Sequence, residues 1–164
     1  MLLCKILFKS IMLFASCDFA NNSDGYLPMS AALAQEIAAK EDMLLPTPEV
    51  VDEIYRQSQC QIYTRPKDPA NLANIQKQST EALKQKASCP DKSLVDGHYK
   101  SITVRGNEIG LYGWYTRTGE RIQNFFPGHS LDYVDYSHGL RLIYKKGIDI
   151  NTKKIVDVAE IIYN

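Results

Sequence analysis

The sequence predicts an α+β fold in which N-terminal helices pack on a C-terminal, mainly antiparallel sheet. Between residues 30 and 87 the apolar residues recur at helical spacing, and from His98 onward they alternate with polar residues as in strands. Helical segments followed by strands are typical of α+β domains. The chain has 164 residues, of which 45% are hydrophobic, enough for one domain with a substantial core.

The charge balance argues against a nucleic-acid partner. Lys and Arg number 19, and so do Asp and Glu, which gives a formal net charge of zero. A neutral chain offers no general electrostatic attraction for a polyanion such as DNA or RNA. We therefore expect no binding of nucleic acid.

Residues 1–17 have the order of an export signal. Lys5 and Lys9 precede a short apolar run, and small residues lie just before Cys17. The run is far shorter than the roughly 20 residues that a membrane-spanning helix needs. Phe14-Ala15-Ser16-Cys17 also resembles the bacterial lipoprotein signal, in which the cysteine is lipidated. The alternative is an apolar first helix that belongs to the fold.

These observations predict three segments: an export or lipoprotein-type signal (1–17), a polar tether (18–29) and a single α+β domain (30–164). The expected location is the periplasm, or the membrane through a lipid anchor on Cys17. Cys4 and Cys17 would then belong to the signal, which leaves Cys60 and Cys89 in the mature chain. In an oxidising compartment these two form a disulfide or remain two buried thiols.

Three helices are predicted in the first half of the chain. Ser30 caps the first, which ends near Lys40. Thr47 caps the second, Pro48 is its first residue, and it ends near Ser58. The third is predicted over residues 68–87, because apolar residues recur there at helical spacing.

Strands are predicted for most of the second half of the chain. Residues 98–104 alternate, a turn at residues 105–107 follows, and residues 109–116 form an apolar central strand. Thr118-Gly119 predicts a hairpin turn into the next strand. A further strand is predicted over residues 139–145. A last helix follows, with Asp157 as its cap.

The stretch from Gly128 to Leu142 concentrates the polar chemistry of the chain. It holds two of the three histidines, His129 and His138, together with Asp135, Ser137 and Arg141. An apolar run from Leu140 to Tyr144 overlaps the end of this stretch and predicts a strand. Reactive side chains in a loop that leads into a strand are typical of a site on a rigid scaffold.

Several chemistries fit this stretch. An imidazole oriented by Asp135 can act as a general base. The imidazoles of His129 and His138 together with Asp135 could also hold zinc, but the spacing His-x5-Asp-x2-His matches no zinc signature. We expect neither a metal nor another cofactor. The structural alternative is that Asp135 and His138 fix a tight loop by hydrogen bonds, with tyrosines packed against it.

Two resemblances to known families bear on the interpretation of this stretch. Leu111-Tyr112-Gly113-Trp114 and Tyr133-Val134-Asp135-Tyr136-Ser137-His138-Gly139-Leu140-Arg141-Leu142 resemble a family of uncharacterised bacterial exported proteins, whose members carry a Tyr-x-Asp-Tyr-Ser-His-Gly-x-Arg-Leu block. Gly97-His98-Tyr99-Lys100 and Leu45-Pro46-Thr47-Pro48 resemble that family as well. The match covers about residues 44–163 and implies no established activity.

The six residues Ser137-His138-Gly139-Leu140-Arg141-Leu142 are also similar to the Ser-His-Gly-Cys-x-Arg-Leu signature of L,D-transpeptidases. Those enzymes cross-link peptidoglycan through a cysteine thioester. The cysteine is missing here, because Gly139 is followed directly by Leu140, so the thiolate nucleophile is absent. The resemblance therefore implies a substrate class, cell-wall peptide, more than a reaction.

The resulting hypothesis is an exported cell-envelope protein with a cleft that binds peptide or peptidoglycan. As a hydrolase or acyl-transferase, it would use His129 or His138 as the base, Asp135 as its orienter and Ser137 as a nucleophile. The remaining predicted binding residues are His98, Trp114, Tyr133 and Arg141, the last as a carboxylate anchor. The alternative is a non-catalytic envelope module in which the same loop binds a glycan, a peptide or a partner.

Overall fold

A computed structural model describes all 164 residues, Met1–Asn164. The α+β class with mainly antiparallel sheets is confirmed. The predicted order, helices before strands, holds only in part, because several strands precede the first helix. None of the helices has the length and apolar character that crossing a membrane requires.

Four α-helices and one short 3₁₀ turn make up the helical part. The helices are α1 (Ala31–Lys40), α2 (Pro48–Gln57), α3 (Ile75–Lys86) and α4 (Val158–Ile162), and the 3₁₀ turn is Leu72–Asn74. The predicted caps are confirmed: the side chains of Ser30, Thr47 and Asp157 accept hydrogen bonds from backbone N–H groups in the first turn of α1, α2 and α4.

Fourteen strands, many of them only two residues long, complete the fold. In chain order they are β1 (Leu3–Phe8), β2 (Ile11–Ser16), β3 (Asn21–Asn22), β4 (Gly25–Tyr26), β5 (Met43–Leu44), β6 (Cys60–Gln61), β7 (Val95–Asp96), β8 (Lys100–Arg105), β9 (Glu108–Tyr115), β10 (Arg121–Phe126), β11 (His138–Gly139), β12 (Ile143–Tyr144), β13 (Lys146–Asp149) and β14 (Ile155–Asp157).

A six-stranded sheet is built around β2. It pairs with β1 as a hairpin and also with β12 and β13, all antiparallel. Its inward side chains, Leu13 and Ala15, are fully buried in a core shared with α2 and α4. The second half of the chain therefore closes onto the N-terminal hairpin.

This arrangement corrects the predicted division of the chain at residues 17 and 29. The apolar run read as a signal is a hairpin in which Ile6 and Phe8 face the core while Lys5 and Lys9 point outward, the two-residue period of a strand. Cys17 forms a disulfide with Cys4. A thiol in that disulfide cannot also carry a lipid, so lipidation of Cys17 and this fold exclude each other.

Residues 18–29, predicted as a tether, also belong to the domain. Phe19 and Tyr26 are buried and pack in a core cluster with Cys60, which is disulfide-bonded to Cys89. Of the two alternatives for Cys60 and Cys89, the disulfide is the one observed.

A second sheet of four strands, in the order β10-β9-β8-β11, carries the candidate site. The β8–β9–β10 meander matches the predicted strands and hairpin turns closely. β11 pairs with β8 in parallel and is the only parallel strand of this sheet.

Two predicted elements differ from the structure. The third helix starts later than residue 68, because the side chain of Asn71 caps a 3₁₀ turn first. The strand predicted over residues 139–145 is interrupted. Its first part, β11, belongs to the four-stranded sheet and its last part, β12, to the six-stranded sheet, so the chain crosses between sheets in between.

Candidate functional site

The candidate site lies where the loop after β10 enters β11. In the parallel β8–β11 ladder His138 is the register partner of Lys100, and Gly139 that of Ser101. A Cβ on Gly139 would come within 2.7 Å of the Phe19 ring and 2.9 Å of the Tyr99 Cβ. Only glycine allows the backbone to lie this close to Phe19 and Tyr99. Gly139 therefore determines how deeply the neighbouring His138 is buried.

Asp135 organises the loop through its carboxylate. Oδ1 accepts hydrogen bonds from the Ser137 backbone N–H (2.8 Å) and from the Ser137 hydroxyl (2.6 Å), and Oδ2 accepts one from the Tyr133 hydroxyl (3.1 Å). Burial by itself would raise the pKa of Asp135, but the adjacent His138 imidazole and the Ser137 donors hold it well below its ordinary value. Asp135 is therefore an ionised anchor of a tight turn.

His138 is buried beside this carboxylate, with 2% of its surface exposed. Its Nε2 lies 3.4 Å from Oδ2 of Asp135 and makes no hydrogen bond. The pair has the proximity expected of a base and its orienter, although this nitrogen lacks the short contact that would fix the tautomer.

Ser137 is not arranged as a nucleophile. Its hydroxyl donates a hydrogen bond to Asp135, no histidine lies within hydrogen-bond distance of it, and only 1% of the residue is exposed. Activation of a serine requires a base that accepts its proton and a path for the substrate to reach it. The geometry of Ser137 provides neither.

His129 lies on the outside of the loop. Its ring stacks on Tyr133 with the centroids 3.8 Å apart and meets the edge of Phe126 at 5.0 Å. Its centroid is 6.1 Å from that of His138. Burial and the neighbouring His138 lower the pKa of His129, so this exposed imidazole is neutral at pH 7.

The hollow between these residues is small. Its volume is about 20 Å³, and His129, Tyr133 and His138 line it together with apolar side chains such as Ile109 and Leu111. Such a space holds a single water molecule. A peptide or sugar cannot enter it without movement of the loop.

The structure does not bring all eight predicted residues to this hollow. His98 is fully buried, enclosed by the aromatic rings of Phe19, Tyr26 and Tyr99, with Asp18 at 3.3 Å from Nε2. Its two ring nitrogens have no hydrogen-bond partner. Its place is the core beneath β4 and β8.

Trp114 and Arg141 also serve the interior. The Trp114 indole N–H donates to the backbone oxygen and the hydroxyl of Thr64, both at 3.1 Å. Arg141 is 1% exposed and donates to the carbonyls of Ser16 (2.7 Å) and Val95 (2.6 Å) and to Asp96 (3.2 Å). The predicted role of Arg141 as a substrate anchor is corrected: its guanidinium group joins buried strands instead.

Two residues of the site were missed from the sequence. Lys100 lies beside His138 in the ladder, and burial lowers its pKa while Asp135 opposes this effect. Phe126 is 43% exposed at the end of β10 and supports His129. The apolar pair Phe125-Phe126 before Pro127 was the available signal, since alternation in a strand places one of two neighbours outside.

The arrangement thus combines a closed polar network with an exposed aromatic surface. No group of three or more His, Cys, Asp or Glu side chains is arranged to hold a metal ion. Neither a family model, nor a curated protein, nor a solved structure matches the chain. The two sequence resemblances stay predictions.

Proposed function

We propose that this protein is an exported, non-catalytic binding protein of the cell envelope, which recognises peptidoglycan through an aromatic loop surface. We define this surface as Phe126, His129, Leu131 and Tyr133. Two disulfides support export, because disulfides persist in oxidising compartments such as the periplasm.

The observation that carries the proposal is the contrast between the inner and outer sides of the loop. On the inner side the Asp135 carboxylate accepts a hydrogen bond from the Ser137 hydroxyl, and both residues are buried. On the outer side Phe126 and Leu131 are 43% and 50% exposed, next to the stacked His129 and Tyr133 rings. Exposed aromatic rings offer flat apolar faces for sugar rings and peptide side chains.

The loop is held in place before any ligand arrives. The Leu131 carbonyl accepts a hydrogen bond from the backbone N–H of Ala32 in α1 (2.9 Å), and Tyr133 donates to Asp135. A surface that is already ordered loses little entropy on binding. This order favours recognition by a preformed surface.

The test is sedimentation of the purified protein with insoluble peptidoglycan. The double variant Phe126→Ala/His129→Ala removes two rings of the surface, and we expect at least a tenfold loss of affinity, at about 1 kcal/mol per ring. Tyr144→Ala is the matched control, since Tyr144 is 41% exposed on β12 and lies outside the surface. Equal sedimentation of all three proteins would reject the proposal.

A second candidate is hydrolysis of the same material by a water activated by His138. The observation that favours it is the one-water hollow beside the His138–Asp135 pair. Release of soluble muropeptides by the wild type, lost in His138→Gln while the fold stays intact, would support this reaction in place of simple binding.

A further inference from the structure

A basic groove runs along α3 on a part of the molecule that the aromatic loop surface does not include. The groove has a volume of about 810 Å³, and all of its ten lining residues except Pro66 are polar or charged. Five are cations and one is a carboxylate, a local net charge of +4 (five minus one) in a chain of formal net charge zero. These six are Arg65, Lys67, Lys77, Lys84, Arg117 and Glu81.

The single carboxylate of the groove is already occupied. One oxygen of Glu81 lies 2.8 Å from Nζ of Lys67, and the other accepts a hydrogen bond from the Arg65 backbone N–H at 2.8 Å. The side chains of Arg65, Lys77, Lys84 and Arg117 form no ion pair. Four uncompensated cations therefore face one concave surface, where they reinforce each other's potential.

The groove is preformed, because side chains of α3 hold the extended segment 63–67 against the helix. Gln85 accepts from the Tyr63 N–H and donates to its carbonyl, Glu81 accepts from the Arg65 N–H, and Gln78 accepts from Nζ of Lys67. Positions 78, 81 and 85 lie on one face of the helix. The segment that carries Arg65 and Lys67 is thus held by side chains of α3 and not by pairing in a sheet.

The spacing of the cations indicates an elongated ligand. Lys77 and Lys84 are seven positions apart on α3, which corresponds to two turns and about 10 Å along the axis. Arg65 and Arg117 stand on the other elements that line the groove. A single small anion cannot contact positions this far apart, whereas a chain with repeated charges can.

We propose that this groove binds a linear anionic glycan whose repeating units carry carboxylate or phosphate groups. Arginine forks and lysine ammonium groups bind such anions, and Gln76 and Thr80 supply an amide and a hydroxyl for sugar hydroxyl groups. A membrane surface fits less well, because the groove is concave and its one apolar side chain is the short Pro66 ring, with no long aliphatic or aromatic side chain to insert. Single-stranded nucleic acid fits less well, because no aromatic side chain lines the groove for base stacking.

The test is fluorescence anisotropy with labelled oligoalginate, a carboxylate glycan, and labelled poly(N-acetylglucosamine 1-phosphate), a phosphate glycan, each against neutral dextran of similar length. The 164-residue chain should bind at least one of the two charged polymers and not dextran. Raising the salt concentration from about 50 to about 200 mM should weaken binding at least tenfold, as for other multivalent ionic contacts. The double variant Lys77→Glu/Lys84→Glu should weaken it at least tenfold at low salt.

The matched control is Lys5→Glu/Lys154→Glu, which changes the net charge equally at two exposed lysines outside the groove. This control variant should bind the charged polymer with the same affinity as the wild type. The proposal is overturned if neither charged polymer binds, if both double variants bind equally, or if a dT20 oligonucleotide or phosphatidylglycerol vesicles bind more tightly than either glycan.

Discussion

Arg141 is predicted to stabilise the fold and not to contact a ligand, and the substitution Arg141→Met tests this directly. Methionine retains most of the apolar volume but leaves the buried Asp96 without its cation and two backbone carbonyls without their donor. Removal of one partner of a buried ion pair costs about 3–5 kcal/mol. A chain of this size has a total stability of only about 5–15 kcal/mol, so the loss should be large.

The assay is urea unfolding followed by the fluorescence of Trp114, the single tryptophan. We expect Arg141→Met to lower the free energy of unfolding by about 3–5 kcal/mol with little change of the slope m. The double variant Arg141→Met/Asp96→Asn should recover part of this loss, because it also removes the unpaired carboxylate. Arg121→Met is the control: its ion pair with Asp52 is at the surface, and its loss should cost less than about 1 kcal/mol.

Two results would contradict a structural role for Arg141. One is a loss below about 1 kcal/mol for Arg141→Met, which would mean that the guanidinium group does not hold the strands together. The other is additivity in the cycle with Asp96→Asn, which would mean that the two residues are not coupled. Weakened binding to peptidoglycan with unchanged stability would restore the predicted role of Arg141 as an anchor.

The stability of the fold can also be tested at Ser137, at two ionised carboxylates and at the Cys60–Cys89 disulfide. Ser137→Ala should lower the free energy of unfolding by about 1–3 kcal/mol through loss of the hydrogen bond to Asp135, and should leave binding to peptidoglycan unchanged in sedimentation. Because the pKa values of Asp18 and Asp135 are lowered in the folded state, their stabilisation is present above about pH 5 and is lost as the pH falls further. The urea midpoint should therefore be lower at pH 3 than at pH 7, and Asp135→Asn should flatten this dependence; a higher midpoint at pH 3 would contradict it. Cys60→Ala/Cys89→Ala opens a loop with a sequence separation of 29 residues and should lower the free energy of unfolding by about 3–4 kcal/mol, measured without reductant. An unchanged midpoint would contradict that estimate.

The local elements were predictable where short-range signals decide them. The caps Ser30, Thr47 and Asp157 satisfy N–H groups within three residues of themselves, so the sequence contains the whole interaction. The β8–β9 hairpin is likewise set by alternation and by a turn at Gly106.

The N-terminal hairpin was not predictable from local signals, because its partners lie more than 120 residues away. Met12 pairs with Ile148 and Ala15 with Ile143, and a short apolar run with two lysines looks the same in an export signal and in a half-buried strand. The pairing of Cys4 with Cys17 likewise depends on the register of that hairpin.

The sequence located the polar cluster but not the side to which each member points. Asp135, Ser137 and His138 do meet, and they form the tight loop that was the structural alternative. His98 and Arg141 lie in the core. Their burial depends on which sheet covers them, and the local sequence does not show this. A chain of formal net charge zero also gave no sign of a groove with a local charge of +4.

Binding and hydrolysis of peptidoglycan can be separated in one incubation if both of its fractions are measured. Purified protein is mixed with insoluble peptidoglycan, and the protein in the pellet and the muropeptides in the supernatant are quantified over time. We expect protein in the pellet, less of it for Phe126→Ala/His129→Ala, and no released muropeptides. Muropeptide release by the wild type that disappears in His138→Gln would contradict it.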